Sequence, residues 1–286
     1  KIAPMTLPNF HLVQSIILFL SNFYKTLAQK METIDYSYLL EELKLTARNA
    51  GNEIMKIYAN SINVNFKEDG SPVTLADKAA EHVILKKLKE ITPDILIVSE
   101  EDSKSHSSKA TNQFFLIDPL DGTKEFLKKD GLGSFTVNIG LIENGIPTLG
   151  VVYAPALNRM FFASVTTGAF EESNDLIKPI TIRELPQSGA VAVASVSHRD
   201  ELTNTWINDH KIKNTTSIGS SLKFCLVACG EADVYPRFGP TMEWDTAAGD
   251  AVLRYAGGSV KHPNDEPFNY GKSNYRNGPF IAYGSF

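Results

Sequence analysis

Two carboxylates three residues apart, in Asp118-Pro119-Leu120-Asp121-Gly122-Thr123, follow the apolar run Phe114-Phe115-Leu116-Ile117. The run reads as a buried strand and the acidic segment after it as a turn, in which Pro119 fixes one dihedral and Gly122 frees another. Acids brought together in such a turn repel, and one pKa rises unless a cation compensates both. An all-oxygen donor set suits Mg²⁺ or Mn²⁺, and without a His/Cys cluster zinc is disfavoured. Leu120 can add only its carbonyl oxygen. Glu100-Glu101 leaves a second apolar run, Ile95-Leu96-Ile97-Val98, at the C-terminal end, where open α/β sheets gather ligands. Asp245 opens a helix expected from Thr246. Taken singly, Glu100 could be a solvated strand exit and Asp245 an N-cap. One cation site would explain both together with Asp118 and Asp121.

Asp77 and Thr123 could form a water-activating pair, the hydroxyl polarised by the carboxylate. Thr74-Leu75-Ala76-Asp77 also reads as a capping box, which by itself accounts for Asp77. Thr123 begins a short segment, so the backbone N–H groups of Gly122 and Thr123 would face a bound phosphate. A haloacid-dehalogenase-type site needs a nucleophilic Asp two residues before Asp121, where this chain has Pro119. No Walker A run occurs, and Gly131-Leu132-Gly133 lacks the third glycine of a dinucleotide fingerprint.

These side chains need elements to hold them. Leu40, Leu43, Ala47, Ala50, Ile54 and Ile57 give one apolar face to a helix over 34–58, and Ala76, Ala80, Val83, Ile84, Leu88 and Ile91 to a helix from Thr74 that stops before Pro93. Ser103 to Gln113 reads as a polar surface loop. From Ser134 to Ala163 the pattern predicts a meander turning at Asn144-Gly145. A second half comes next: a strand near Val191 to Ser195, a helix over 220–229, a strand over 232–235 and a helix over 246–256 closed by Gly257-Gly258. Helices and sheets thus alternate in layers, an α/β (α+β layered) class. The expected division is a metal-binding half over 31–178 and a substrate-binding half over 179–286.

At 286 residues with 43% hydrophobic content the chain can build a substantial core. A formal charge of −5 with dispersed Lys and Arg excludes a generic nucleic-acid surface. Cys225 and Cys229 read as small buried side chains on one helical face, in keeping with a reducing compartment. Residues 1–30 form an N-terminal extension whose apolar stretch, Leu12 to Tyr24, falls short of the about 20 residues a membrane span needs. An amphipathic surface helix or an upstream-translated extension fits it better than a signal h-region. The expected location is therefore cytoplasmic, with peripheral attachment to the inner membrane through that stretch as the alternative. Oligomeric state is not readable.

Ser99-Glu100-Glu101, Asp118 to Thr123, and Trp244-Asp245-Thr246-Ala247-Ala248-Gly249 occur in the order of the inositol monophosphatase superfamily, which the chain resembles from about Ile34 to its C-terminus. Lys67 to Thr74 with Asp77, Asp121 to Phe126, and Glu243-Trp244-Asp245 are similar to its bacterial 3′(2′),5′-bisphosphate nucleotidase (CysQ-type) branch. The resemblance implies an αβαβα sandwich, inhibition by lithium, and hydrolysis of the 3′-phosphate of adenosine 3′,5′-bisphosphate to AMP. It also implies two to three Mg²⁺ held by Glu100, Asp118, the Leu120 carbonyl, Asp121 and Asp245, with Asp77 and Thr123 activating water. Substrate contacts would come from Gly122, Thr123, His198, Ser220, Lys223 and Arg237, with Lys223 and Arg237 reaching the second phosphate. A broader inositol or sugar phosphatase and a non-catalytic metal-dependent nucleotide sensor remain the competing readings.

Overall fold

The periodic apolar positions of the first expected helix do form one face: α1 (Tyr36–Tyr58) buries Leu40, Leu43, Ala47, Ala50 and Ile54. The computed structural model describes residues 34–60, 64–66, 72–129, 131–195 and 200–286, so the apolar N-terminal stretch and His198 lie outside the described residues. β1 (Val64–Phe66) and β2 (Pro72–Thr74) pair antiparallel and lead into α2 (Leu75–Ile91), which packs beside α1. Among the described residues no helix is long and apolar enough to cross a membrane.

A seven-stranded sheet follows in chain order: β3 (Leu96–Ser99), β4 (Gln113–Asp121), β5 (Thr136–Glu143), β6 (Ile146–Ala154), β7 (Arg159–Ser164), β8 (Gly168–Ser173) and β9 (Leu176–Pro179). Only the β3/β4 pair is parallel, and α3 (Thr123–Lys128) separates β4 from β5. The expected meander is present. Asn144 and Gly145, both at positive φ, make its first turn with the backbone twist that a two-residue hairpin needs.

The second sheet lies later in the chain. It orders β11 (Asn214–Ser217), β10 (Val191–Ala194), β12 (Val234–Arg237), β16 (Phe280–Tyr283) and β14 (Ser259–Lys261). A separate ribbon pairs β13 (Thr241–Met242) with β15 (Arg276–Asn277). Three helices belong to this part: α4 (Glu201–Asp209), α5 (Leu222–Ala228) and α6 (Ala247–Tyr255).

Alternation along the strands sorts the helices into layers. On β6, Tyr153 meets Gly51 of α1, whereas Gly150, on the other face, meets Ala248 and Ala251 of α6. α1 and α2 therefore cover one face of the large sheet and α6 the other. α6 packs on α5, which lies against the second sheet, and Ile207 of α4 joins Ala192, Val234 and Ile281 in a separate apolar cluster there. The result is a five-layer αβαβα arrangement, with the main core between the two sheets around Phe114, Phe161, Phe224, Val252 and Phe280.

Two local expectations change. Asp118 to Thr123 is not a turn: β4 continues through both acids, and the chain turns only at Gly122, whose φ is 92°. Asp118 pairs with Asn138 and Asp121 with Thr136, so three steps along β4 match two along β5 and the extra residue makes a bulge. Nor is 103–113 a plain surface loop, since it contains a 3₁₀ turn, Ser105–Ser107, with Ser105 buried.

Candidate active site

The bulge in β4 sets the directions of the two acids. In a regular strand, residues three apart point to opposite faces; one extra residue re-aims a side chain, as bulges beside functional sites do. Asp118 and Asp121 both line a cavity of about 630 Å³. Asp118 takes the Leu120 N–H on Oδ1 at 3.0 Å, and Asp121 takes the Ser221 N–H on Oδ2 at 2.5 Å. Beneath them, Ser221 Oγ donates to Asn138 Oδ1 at 2.5 Å and lies 2.9 Å from Thr136 Oγ1. This buried polar cluster ties β5 to the loop that opens α5.

Glu100 enters from the end of β3, its amide bonded to the Ile117 carbonyl at 3.0 Å. Asp245 arrives from the 3₁₀ turn Glu243–Asp245 and takes the Met242 N–H at 2.8 Å. It closes that turn and is not the N-cap of α6, a place held by Thr246 with no side-chain cap bond. The approach is possible because α6 lies almost on the sheet. A Cβ on Gly150 would come within 2.4 Å of the Ala248 oxygen, and one on Gly140 within 2.9 Å of the Ala247 Cβ. On the other side of the helix, Gly249 lies against the Phe224 ring, where a Cβ would meet it at 2.7 Å. The small residues of Ala247-Ala248-Gly249 thus fit a slot between sheet and α5, and the slot brings Asp245 to Asp118.

Glu100, Asp118 and Asp245 each offer a carboxylate oxygen within 4.8 Å of the other two. Asp121 is outside that trio, turned toward Ser221. Burial, then the Glu100 charge, pushes Asp118 well above the usual carboxylate range. Burial, then the Asp121 and Glu100 charges, does the same to Asp245. Burial raises Asp121 to about 6 against the opposing charge of Lys223. Glu100, Asp118 and Asp245 are hard oxygen donors crowded within 4.8 Å of one another, a set that a divalent cation such as Mg²⁺ fits.

Asp77 has two jobs. Its Oδ2 accepts the Thr74 N–H and Oγ–H, both at 2.7 Å; the first of these bonds is one arm of the capping box of α2, whose other arm is the Thr74 side chain accepting from the Asp77 amide. Its Oδ1 lies 3.3 Å from Thr123 Oγ1, which is also 3.2 Å from the Leu120 carbonyl oxygen. Burial raises the Asp77 pKa against the lowering effect of Thr74. Gly122 and Thr123 line the cavity at the start of α3.

Across the cavity, Ser220, Lys223 and Arg237 are buried lining residues. Lys223 Nζ donates to the Ser220 carbonyl and sits 5.3 Å from the centre of the Tyr235 ring. Burial brings its pKa down to about 8, opposed by Asp121. Arg237 donates from Nε to Gly239 O at 3.1 Å and from Nη2 to Pro240 O at 2.9 Å.

Sequence reasoning missed Asn138, Ser221 and His106. His106 Nε2 lies 2.8 Å from the Ser99 carbonyl oxygen, and its ring stacks on Trp244 with centroids 4.5 Å apart. One ring therefore touches the residue before Glu100 and the residue before Asp245. No spacing rule flags it, because the contact to Trp244 joins segments far apart in the chain.

The inositol monophosphatase family model matches residues 35–282. A 3′(2′),5′-bisphosphate nucleotidase CysQ of Salmonella typhimurium is 46% identical over 235 residues, 81% of this chain and 94% of that one. The crystal structure of CysQ from Bacteroides thetaiotaomicron, 36% identical, superposes with a TM-score of 0.77 over 89% of this chain and all of the other. An inositol monophosphatase from Anabaena, 26% identical, reaches 0.70 over 88% of this chain and 93% of its own. With the layered fold and the acidic site in place, the chain belongs to the inositol monophosphatase family.

Proposed function

We propose that the chain is a Mg²⁺-dependent 3′(2′),5′-bisphosphate nucleotidase that removes the 3′-phosphate of adenosine 3′,5′-bisphosphate, giving AMP and phosphate. The observation that carries the reading is the convergence of Glu100, Asp118 and Asp245 beside the Thr123–Asp77 pair. The nucleotide substrate is supported by the relatives named as bisphosphate nucleotidases. Glu100, Asp118, Asp245, Asp121 and the Leu120 carbonyl would hold two to three Mg²⁺. When bound, the cations supply positive charge to the phosphate oxygens and make water more acidic.

Thr123 holds the attacking water. Its hydroxyl donates toward Asp77 Oδ1 or the Leu120 oxygen, leaving oxygen lone pairs to accept a proton from water. Asp77 Oδ1 receives that proton through the hydroxyl, a role suited to a carboxylate whose pKa burial has raised. Oδ2 is fixed by Thr74, so the receiving oxygen keeps its direction. As water adds to phosphorus, the bond to the ribose 3′-oxygen breaks; that oxygen takes up a proton from solvent water, and Asp77 returns to solvent the proton it received. The Gly122 and Thr123 amides orient the phosphate, while Ser220, Lys223 and Arg237 contact the nucleotide from the second half.

We place the enzyme in the cytoplasm, in keeping with free thiols at Cys225 and Cys229. Phosphate release from adenosine 3′,5′-bisphosphate and inositol 1-phosphate, each with Mg²⁺ and with chelator, tests the proposal. Preference for the inositol ester would overturn the substrate, and chelator-resistant turnover would overturn the metal. Binding without turnover would favour a sensor.

A further inference from the structure

Four basic side chains line the cavity: Lys124, Lys223, Arg237 and Arg276. Lys223 is buried against the Ser220 carbonyl and faces Asp121, which places its charge at the acidic wall. Arg237 commits two of its five N–H donors to Gly239 and Pro240. Arg276 differs. It is exposed, and among the described residues its guanidinium has no hydrogen-bond acceptor and no carboxylate within ion-pair distance.

The backbone that carries it is nevertheless fixed. Arg276 pairs with Met242 across the β13/β15 ribbon, and the Met242 amide holds the Asp245 carboxylate. Adjacent strands lie about 5 Å apart, so Arg276 is rooted one strand away from a segment that ends in a candidate metal ligand. Its neighbours on both sides are anchored. Tyr275, 1% exposed, donates its hydroxyl to Ser108 O at 2.7 Å. Asn277 Nδ2 donates to Met242 O at 2.8 Å, with Thr241 Oγ1 and Thr246 Oγ1 at 3.2 and 3.1 Å. Tyr275 and Asn277 are buried, while Arg276 between them is exposed and lines the cavity.

We propose that Arg276 is a further specificity-determining residue, which adds to the contacts expected of Lys223 and Arg237 by gripping the second, non-reacting phosphate of the substrate. This role rests on the chain being a bisphosphate nucleotidase. The reacting phosphate belongs at the wall of Glu100, Asp118 and Asp245, and the other phosphate of a nucleoside bisphosphate lies across the ribose from it. A guanidinium presents parallel N–H donors that match two phosphate oxygens. Its rigid mount and unengaged donors mean that no internal bond is broken when the anion arrives. No motif marks this residue in the sequence.

Arg276→Ala and Arg276→Lys, with the wild type, are assayed at saturating Mg²⁺ on adenosine 3′,5′-bisphosphate and on adenosine 3′-monophosphate, which lacks the second phosphate. In Arg276→Ala, KM for the bisphosphate should rise by ~10-fold to ~100-fold, the range of charge-assisted hydrogen bonds, with kcat within about twofold. KM for the monophosphate should not move, and Arg276→Lys should recover part of the loss. Thermal melting checks that the variants fold. An unchanged bisphosphate KM in Arg276→Ala, or equal loss on both substrates, overturns the role of Arg276 while leaving the nucleotidase reading in place. A wild type that ignores both nucleotides and hydrolyses inositol 1-phosphate overturns the nucleotidase reading itself, and the Arg276 role with it.

Discussion

Thr123 and Asp121 are two residues apart and should fail differently when changed. Thr123→Ala removes the hydroxyl between Asp77 and the Leu120 carbonyl but no carboxylate, so kcat should fall by ~100-fold with metal affinity kept. Asp121→Asn removes a negative charge from the acidic wall, so Mn²⁺ affinity measured by calorimetry should fall by ~10-fold to ~100-fold. A fully active Asp121→Asn enzyme would remove Asp121 from the metal set. His106→Ala loses both the Trp244 stack and the Ser99 bond, at a cost of about 1–2 kcal/mol in urea unfolding; His106→Phe should fall between it and the wild type. A midpoint unchanged in both variants would show that the ring holds neither segment. The acids were legible in the sequence because few residue types can hold a hard cation, and because Glu100 and Asp118 follow apolar runs while Asp245 stands at an expected helix start. Ser221, Asn138 and His106 were not, because each works through a partner from a distant part of the chain.

At the scale of elements, α1, α2 and the meander followed from their periodicity, while α4 (Glu201–Asp209) and the bulge in β4 did not. Whether Asp118-Pro119-Leu120-Asp121 turns or stays extended depends on its pairing with Thr136 and Asn138 of β5, which local residue preference does not encode. Gly140 and Gly150 were equally opaque. In a strand pattern they look like weak points, yet they are the floor on which α6 rests. Gly150→Ala should therefore cost about 1–3 kcal/mol through overpacking, read by thermal melting, and Asp245 should be displaced with the helix. The accompanying signature is a higher Mg²⁺ requirement for activity. A melting temperature equal to that of the wild type would mean that the seam can open at no cost.

For the molecule as a whole, the acidic wall couples folding to metal and pH. The folded pKa of Asp121 is about 6, above its ordinary 3.8, and Asp118 and Asp245 move in the same direction. A carboxylate raised on folding contributes stability that is fully present below its unfolded pKa and is lost as pH rises through the folded value. The metal-free protein should thus lose stability from about pH 4 to beyond about pH 6, and the rise in Tm on adding Mg²⁺ should be larger near pH 8 than near pH 5. A larger rise near pH 5 would exclude these acids as the metal's seat. The sheets themselves fall on either side of the segment between Pro179 and Val191, but Asp245 reaches Asp118 only because α6 leaves the later part of the chain to lie on the earlier sheet. The glycine seam consequently makes this chain suited to fragment complementation. Cut within 180–190, the first piece would keep Glu100, Asp118 and Thr123 beneath a bare strip of sheet, the second would keep Asp245 on an uncovered helix, and Mg²⁺-dependent turnover would return only when the two are mixed.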